Sequence, residues 1–288
     1  MRIVMFGRGE RAVRSLAALH EHGVLGVSPP GDQFEEACRR RGIECLQDSH
    51  LAHVRQRLVA TSPCLVVLAG YPKLLGPEFT ESFFCVNMHA GPLPRYRGPH
   101  PMNWVLINGE NETAFTMLRA DTGVDTGPIL AQEWFSIGPD TTYTDLYCQS
   151  LVLYPKMLGR LVRQFSEGTM RLVPQDRNAG FWCSRRYPTD NAILWSQMTA
   201  QEVHNLVRSQ TPPSPGAYTI LHSNLLVNTT RMLKRQYHGV PGRIAARWAS
   251  GLVVCCKDRG ILVTHLRAKG SDVILPAAAY NFRAGETL

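Results

Sequence analysis

Short apolar runs alternate with stretches of helical periodicity through the first 90 residues, and that alternation restricts the fold more than any other feature of the chain. Residues 2–7, 24–28, 43–46, 64–69 and 86–89 read as strands. Helices are expected over 10–21, where Ala12, Val13, Leu16 and Leu19 share one side, and over 32–41 and 51–60. Strands joined through helices pair in parallel, because each helix carries the chain back across the sheet. The expected architecture is therefore α/β, an open, mostly parallel sheet with helices on both faces. A strand over 129–135 and a long helix over 141–165 follow, the helix capped by Thr141 or Thr142 and ended by Gly168. Residues 171–192 are rich in Pro, Asn, Arg and Asp and read as a surface linker anchored by Trp182 and Tyr187.

Residues 85–130 concentrate the chemistry: an apolar run ending in Asn87 and His89, a Pro/Gly/Arg-rich loop, an amphipathic helix, a strand, and a turn with Asp125. Side chains in a strand repeat every two residues, so Asn87 and His89 share a face. A carboxamide and a charged imidazole both donate, and both suit the oxyanion formed when an amine adds to a formyl carbon. A carboxylate at Asp125 favours the charged imidazole and can accept the proton that the amine loses, directly or through one water. Asp121 competes for that role, or braces the loop.

The run Asn87-x-His89, Leu93-Pro94-x-x-Arg97-Gly98, Asn103-Trp104 through Gly109-Glu110, Thr113-x-x-Thr116 and Asp125-Thr126-Gly127 resembles the signature of the folate-dependent formyltransferases. The likeness extends more weakly over nearly the whole chain. It implies a Rossmann-like catalytic domain over 1–190, a linker and helix over 191–216 and a small OB-like β-barrel domain over 217–288. It also implies 10-formyltetrahydrofolate as formyl donor, and catalytic roles for Asn87, His89 and Asp125. The loop of Tyr71, Pro72, Lys73, Leu74 and Leu75, at the carboxyl end of a strand, is similar to one wall of the family's folate pocket, with Asp121, Thr122 and Gly123 opposite. Leu74 and Leu75 can equally serve the core. Gly7 and Gly9, the first two glycines of an incomplete dinucleotide fingerprint, are expected as turn formers lining the acceptor pocket, with Arg97 and Gly98 as further acceptor contacts. His204 is expected as a helix residue at the junction of the two domains. The chain departs from the family at Gly91-Pro92-Leu93-Pro94, where Ser-Leu-Leu-Pro is usual, so a hydroxyl near the formyl site is missing. It departs again at Thr113-Ala114-Phe115-Thr116 and at Pro128.

The acceptor is expected to be a small-molecule primary amine, a nucleotide-linked amino sugar first and an amino-acid or antibiotic-precursor amine second. Methionyl-tRNA formyltransferases carry a long basic insertion between the second strand and its helix, where this chain has only Pro29-Pro30-Gly31. Hydrolysis of the donor to formate is a second enzymatic reading. The net charge of +8 suits acidic partners, a nucleotide-linked substrate or a folate glutamate tail among them. Nucleic acid is disfavoured: the basic residues are dispersed, and Arg39-Arg40-Arg41 and Arg185-Arg186 read as solvated faces. An RNA-binding protein that keeps only the fold is a third reading, opposed by the intact Asn87, His89 and Asp125. A homodimer is left open. The cysteines at 38, 45, 64, 85, 148, 183, 255 and 256 include no C-x-x-C pair and read as reduced packing residues, with no metal site. No apolar run approaches the roughly 20 residues of a membrane span, so no membrane partner is expected and a cytoplasmic location is.

Overall fold

The structure, a computed structural model, describes residues 1–62, 65–176 and 178–288. Cys64, expected to open a strand, lies outside the described residues. The elements are β1 (Arg2–Gly7), α1 (Gly9–Ser15), β2 (Gly23–Ser28), α2 (Gln33–Arg40), β3 (Cys45–Gln47), α3 (Leu51–Thr61), β4 (Leu65–Ala69), α4 (Pro77–Thr80), β5 (Cys85–His89), α5 (Pro101–Ile107), β6 (Glu112–Arg119) and β7 (Ile129–Ser136). They continue as α6 (Tyr143–Glu167), β8 (Ala192–Ile193), α7 (Ala200–Ser209), β9 (Ala217–Thr219), β10 (Leu225–Arg231), β11 (Ile244–Trp248), β12 (Gly251–Cys255), β13 (Gly260–Ala268) and β14 (Ile274–Pro276).

The first compact unit comprises residues 1–101, 112–135 and 147–184. Its sheet runs in the order β3-β2-β1-β4-β5-β6-β7. β1 pairs in parallel with β2 and β4, β2 with β3, and β4 with β5, whereas β5 and β6 are antiparallel. Ile3 to Phe6 and the whole of β4 are buried, the pattern of strands covered on both faces. The chain leaves β1 for strands on either side of it, and ligands in such sheets bind beyond the carboxyl ends at that switch point. β5 delivers His89 to its own carboxyl end. The helix expected over 10–21 stops being α-helical at Ser15 and tightens to a 3₁₀ turn, Leu16–Leu19, because His22 N bonds back to the Leu19 carbonyl and β2 begins at once.

The second unit takes residues 102–111, 136–146 and 185–288. The division is discontinuous, unlike the single boundary read at 190, because α5 contributes Ile107 to the core formed by Val203, Leu206, Val254, Ile261 and Val263. The sheet runs β11-β12-β13-β10-β9-β8, antiparallel but for β8 with β9. β12 occupies Gly260 to Val263 of β13, and β14, which the sequence did not announce, pairs further along at Arg267 to His265. Register shifts at Val227/Thr229 and Ile244/Ala246 bend β10 and β11. This is the expected small β domain after the α/β sheet. Arg186 departs from the solvated face expected of it: it is half-buried, with its guanidinium 5.1 Å from the Trp104 ring centroid. Cys148 is exposed, so it is no packing residue. Among the described residues no helix is long and apolar enough to cross a membrane.

Candidate active site

Strand parity and one turn bring three of the expected residues together. Asn87 and His89 project from β5 to the same carboxylate: Asn87 Nδ2 donates to Asp125 Oδ1 at 3.0 Å, and His89 Nδ1 lies 3.4 Å from Asp125 Oδ2. Gly98 N donates to the same Oδ2 at 2.9 Å. His89 is 5% exposed and Asp125 11%, whereas Asn87 is half-buried. His89 Nε2 lies 2.8 Å from the Tyr96 carbonyl, which only accepts, so Nε2 carries a hydrogen. Nδ1 then faces the Asp125 carboxylate. The direct donation from His89 to an oxyanion expected from the sequence requires release of one of these partners, since both ring nitrogens are engaged.

Asp125 itself has φ +55, a left-handed conformation that Asp tolerates better than most residues, and Tyr96 and His100 in the facing loop have φ +59 and +60. The segment after α6 holds this geometry. Gln175 Nε2 donates to the carbonyls of Asp125 at 2.9 Å and Gly127 at 2.7 Å. Its Oε1 accepts from Arg97 Nε at 3.2 Å and Nη2 at 3.0 Å. Arg97 Nη1 and Nη2 also donate to the Ala179 and Asp176 carbonyls, both at 3.1 Å. Arg97 N donates to Phe181 O at 3.0 Å, Cys183 N to Arg97 O at 2.7 Å, and Trp182 covers the guanidinium at 4.9 Å.

These contacts correct two acceptor assignments. Arg97 is 1% exposed and its guanidinium already serves three partners, so it braces the loop from within. Gly7 is buried, and a Cβ there would lie 2.7 Å from the Phe34 ring, so it permits α2 to pack rather than lining a pocket. Gly9 starts α1 with φ +70 and donates its N–H to Asp32 at 2.9 Å. Gly98 acts through its backbone on Asp125. Trp182 anchors the 171–184 segment, with Nε1 donating to Val124 O at 3.3 Å; Tyr187, 59% exposed, does not.

Of the residues expected to wall a folate, Leu75 joins the core and Leu74 is 74% exposed. Tyr71 Oη donates to Asp48 at 3.0 Å and Lys73 Nζ pairs with the same buried carboxylate at 2.9 Å, which together hold Pro72 between them. Burial against Phe6 and the Asp48 charge push the Tyr71 hydroxyl pKa well above its ordinary value. Asp121 Oδ1 accepts from Gly123 N at 3.0 Å and Thr126 Oγ1 at 2.8 Å, so it braces the turn that carries Thr122 and Asp125. Gln132, like Gln175, is a residue the sequence did not single out. It ties the Gly91–Pro94 loop down through Leu93 O and Thr116 Oγ1, both at 2.9 Å, while Thr116 donates to Gly91 O at 2.7 Å.

The Asn103-Trp104 part of the motif belongs to the second unit. Asn103 Nδ2 donates to Ser209 O at 2.8 Å, and Arg208 and Asn205 of α7 donate to the Leu106 and Ile107 carbonyls that end α5. His204, on the same helix, is buried between Thr230 Oγ1 at 2.9 Å and Pro139 O at 3.1 Å. Desolvation lowers its pKa, with the Pro139 carbonyl opposing.

Two family models match the chain, "Formyl transferase" over residues 30–161 and "Formyl transferase, C-terminal domain" over 186–282. A methionyl-tRNA formyltransferase of Myxococcus xanthus is 31% identical over 96% of this chain and 93% of its own length. Another, of Citrifermentans bemidjiense, is 32% identical over 100% of this chain and 94% of its own. Among solved structures, an N-formyltransferase of Helicobacter canadensis, in complex with folinic acid and dTDP-3-aminofucose, superposes with a TM-score of 0.71 at 16% identity, covering 91% of this chain and 98% of that one.

Proposed function

The chain belongs to the formyl transferase family and is a folate-dependent N-formyltransferase; on that footing we propose that it formylates the primary amine of a nucleotide-linked amino sugar in the cytoplasm. The formyl donor is 10-formyltetrahydrofolate, whose formyl carbon is the electrophile. The observation that carries the choice of acceptor is the closed turn between β2 and α2. Asp32 N donates to the Pro29 carbonyl at 3.3 Å, and its carboxylate caps α2 through Phe34 N at 2.8 Å. Strand passes to helix with no place for the basic insertion of the tRNA-directed family members.

We place the reaction on the first unit. Asn87 uses one hydrogen of its amide on Asp125, and the second is directed to the oxyanion of the tetrahedral centre. Asp125 and His89 act as a pair: the carboxylate takes the proton the amine loses, the imidazole, oriented by the Tyr96 carbonyl, holds the carboxylate in place and shares that proton, and the proton passes to the folate nitrogen as its bond to the formyl carbon breaks and tetrahydrofolate leaves. Leu74, with an apolar side chain exposed beside Tyr71-Pro72-Lys73, and the braced turn Asp121-Thr122-Gly123 fit the two walls of a flat ring.

A second reading, methionyl-tRNA as acceptor, is favoured by the near full-length match to relatives of that name. Tetrahydrofolate release from 10-formyltetrahydrofolate, followed by absorbance with a panel of nucleotide-linked amino sugars, small amines and methionyl-tRNA, separates the readings. Release that requires an amino-sugar nucleotide, with product mass raised by one formyl group, is the expected result. Release with methionyl-tRNA alone establishes the second reading, and release of free formate without any amine replaces both with hydrolysis.

A further inference from the structure

We infer that Gln175 is a positioning residue for the Asp125 carboxylate, an inference that rests on the reading of Asp125 given above. The side chain is fully used: its two N–H groups go to the carbonyls of Asp125 and Gly127, and its oxygen accepts twice from Arg97. It thereby joins the two supports of one functional group. One support is the backbone of Asp125, left-handed at φ +55, whose direction is set by the clamp on its own carbonyl and that of Gly127. The other is the Arg97-Gly98 step, where the Gln175 oxygen holds the Arg97 side chain and the next residue gives its N–H to Asp125 Oδ2 at 2.9 Å.

Around this clamp the loop and residues 178–184 leave no slack. A Cβ at Gly98 would lie 2.8 Å from Cys183 O, and one at Gly180 would lie 2.0 Å from Pro94 O. Tyr96 and Phe181 meet edge to face at 4.7 Å. Tyr96 is also the residue whose carbonyl fixes His89 Nε2. Release of Gln175 therefore acts on the side of the His89–Asp125 pair that bears Asp125, while the packing of Tyr96 and Trp182 remains.

The test is Gln175→Glu, which keeps an acceptor for Arg97 but turns an oxygen toward the two carbonyls, beside Gln175→Met, which removes all four hydrogen bonds. In both variants kcat is expected to fall about tenfold or more, with KM for the formyl donor held within about twofold. The pH–kcat profile is expected to move along the pH axis, because Asp125 no longer faces His89 at the same separation. A purely structural role lowers the active fraction and leaves the profile in place, so an unmoved profile in a folded variant overturns the inference. Asp125→Asn, assayed in parallel, separates the two levels. Wild-type turnover in Asp125→Asn removes the underlying reading; loss of turnover there, with wild-type kcat and profile in the Gln175 variants, removes only the role of Gln175. If Gln175→Glu does not fold, Gln175→Met is read in the same way.

Discussion

Asp125 is where the separate parts of the site meet: an amide hydrogen from Asn87, a backbone hydrogen from Gly98 and an imidazole nitrogen from His89 reach one carboxylate that is 11% exposed. Removing one of these partners leaves the others, so each variant has its own signature. Asn87→Ala deletes the donor we propose for the oxyanion, and kcat is expected to drop by about 10²- to 10³-fold. His89→Ala leaves Asp125 without the imidazole 3.4 Å from it, the proposed partner in proton transfer, and is expected to cost about 10²-fold or more in the same measurement. Asp125→Asn keeps size and the Asn87 contact within reach but removes the proposed base, so donor binding measured by fluorescence titration is expected to survive while turnover collapses. Wild-type-like turnover in Asn87→Ala or His89→Ala would remove that residue from the catalytic set, and loss of donor binding in Asp125→Asn would make Asp125 mainly structural.

At the scale of elements, the site depends on how closely the 94–98 loop and residues 178–184 approach. Gly98 has φ +88 and would place a Cβ 2.8 Å from the backbone oxygen of Cys183, whereas Gly31, at φ +72, has open space around it. Both Ala substitutions carry the left-handed penalty of roughly 1–2 kcal/mol, but Gly98→Ala adds a clash with backbone and is expected to exceed Gly31→Ala in denaturant unfolding. It should also lower kcat, since Gly98 N holds Asp125; equal stability and activity in the two variants would show that the loop yields freely. α7 carries a second element-scale prediction. His204 has a folded-state pKa below its ordinary 6.5, chiefly from burial, with Arg208 lowering it further and Pro139 O and Asp140 opposing. Below pH 6.5 the unfolded state therefore binds more protons, and stability falls as pH drops toward the folded value. Unfolding curves for wild type and His204→Asn between neutral pH and pH 5 check the sign: the acid-side slope should be shallower in the variant. What the sequence made legible follows the same scale. β1 and β5 were readable because continuous apolar runs have few other uses, and parity alone joined Asn87 to His89. Gln175 was not, because its bonds reach 48, 50 and 78 residues back along the chain and leave no local pattern. Arg97 and Gly7 were read as ligand contacts because residue type shows what a group can do and not which partner already holds it. Met102, Val105 and Leu106 make the same apolar stripe whichever core receives them, so the second unit's claim on α5 was equally silent.

For the whole molecule, the relevant quantity is the net charge of +8, which attracts an anionic acceptor over distances that local contacts do not reach. Salt screens this attraction, with a Debye length of about 10 Å at 0.1 M and about 3 Å at 1 M. The two acceptor readings respond to salt by different amounts. A nucleotide-linked sugar offers a short phosphate chain, so log KM for the acceptor should rise with log salt at a slope of about 1 to 2, with kcat little changed. A tRNA acceptor held through 6–10 phosphates would give a slope of roughly 5 to 9. The basic groups that would have to supply those contacts are dispersed, and several are already committed within the fold: Arg97 to Gln175, Arg186 to Asp190 and Asn191, and Arg208 to the end of α5. The shallow slope is therefore the expected outcome. A steep one, measured with an acceptor that supports turnover, would move the protein to the tRNA reading even if small amines are also formylated.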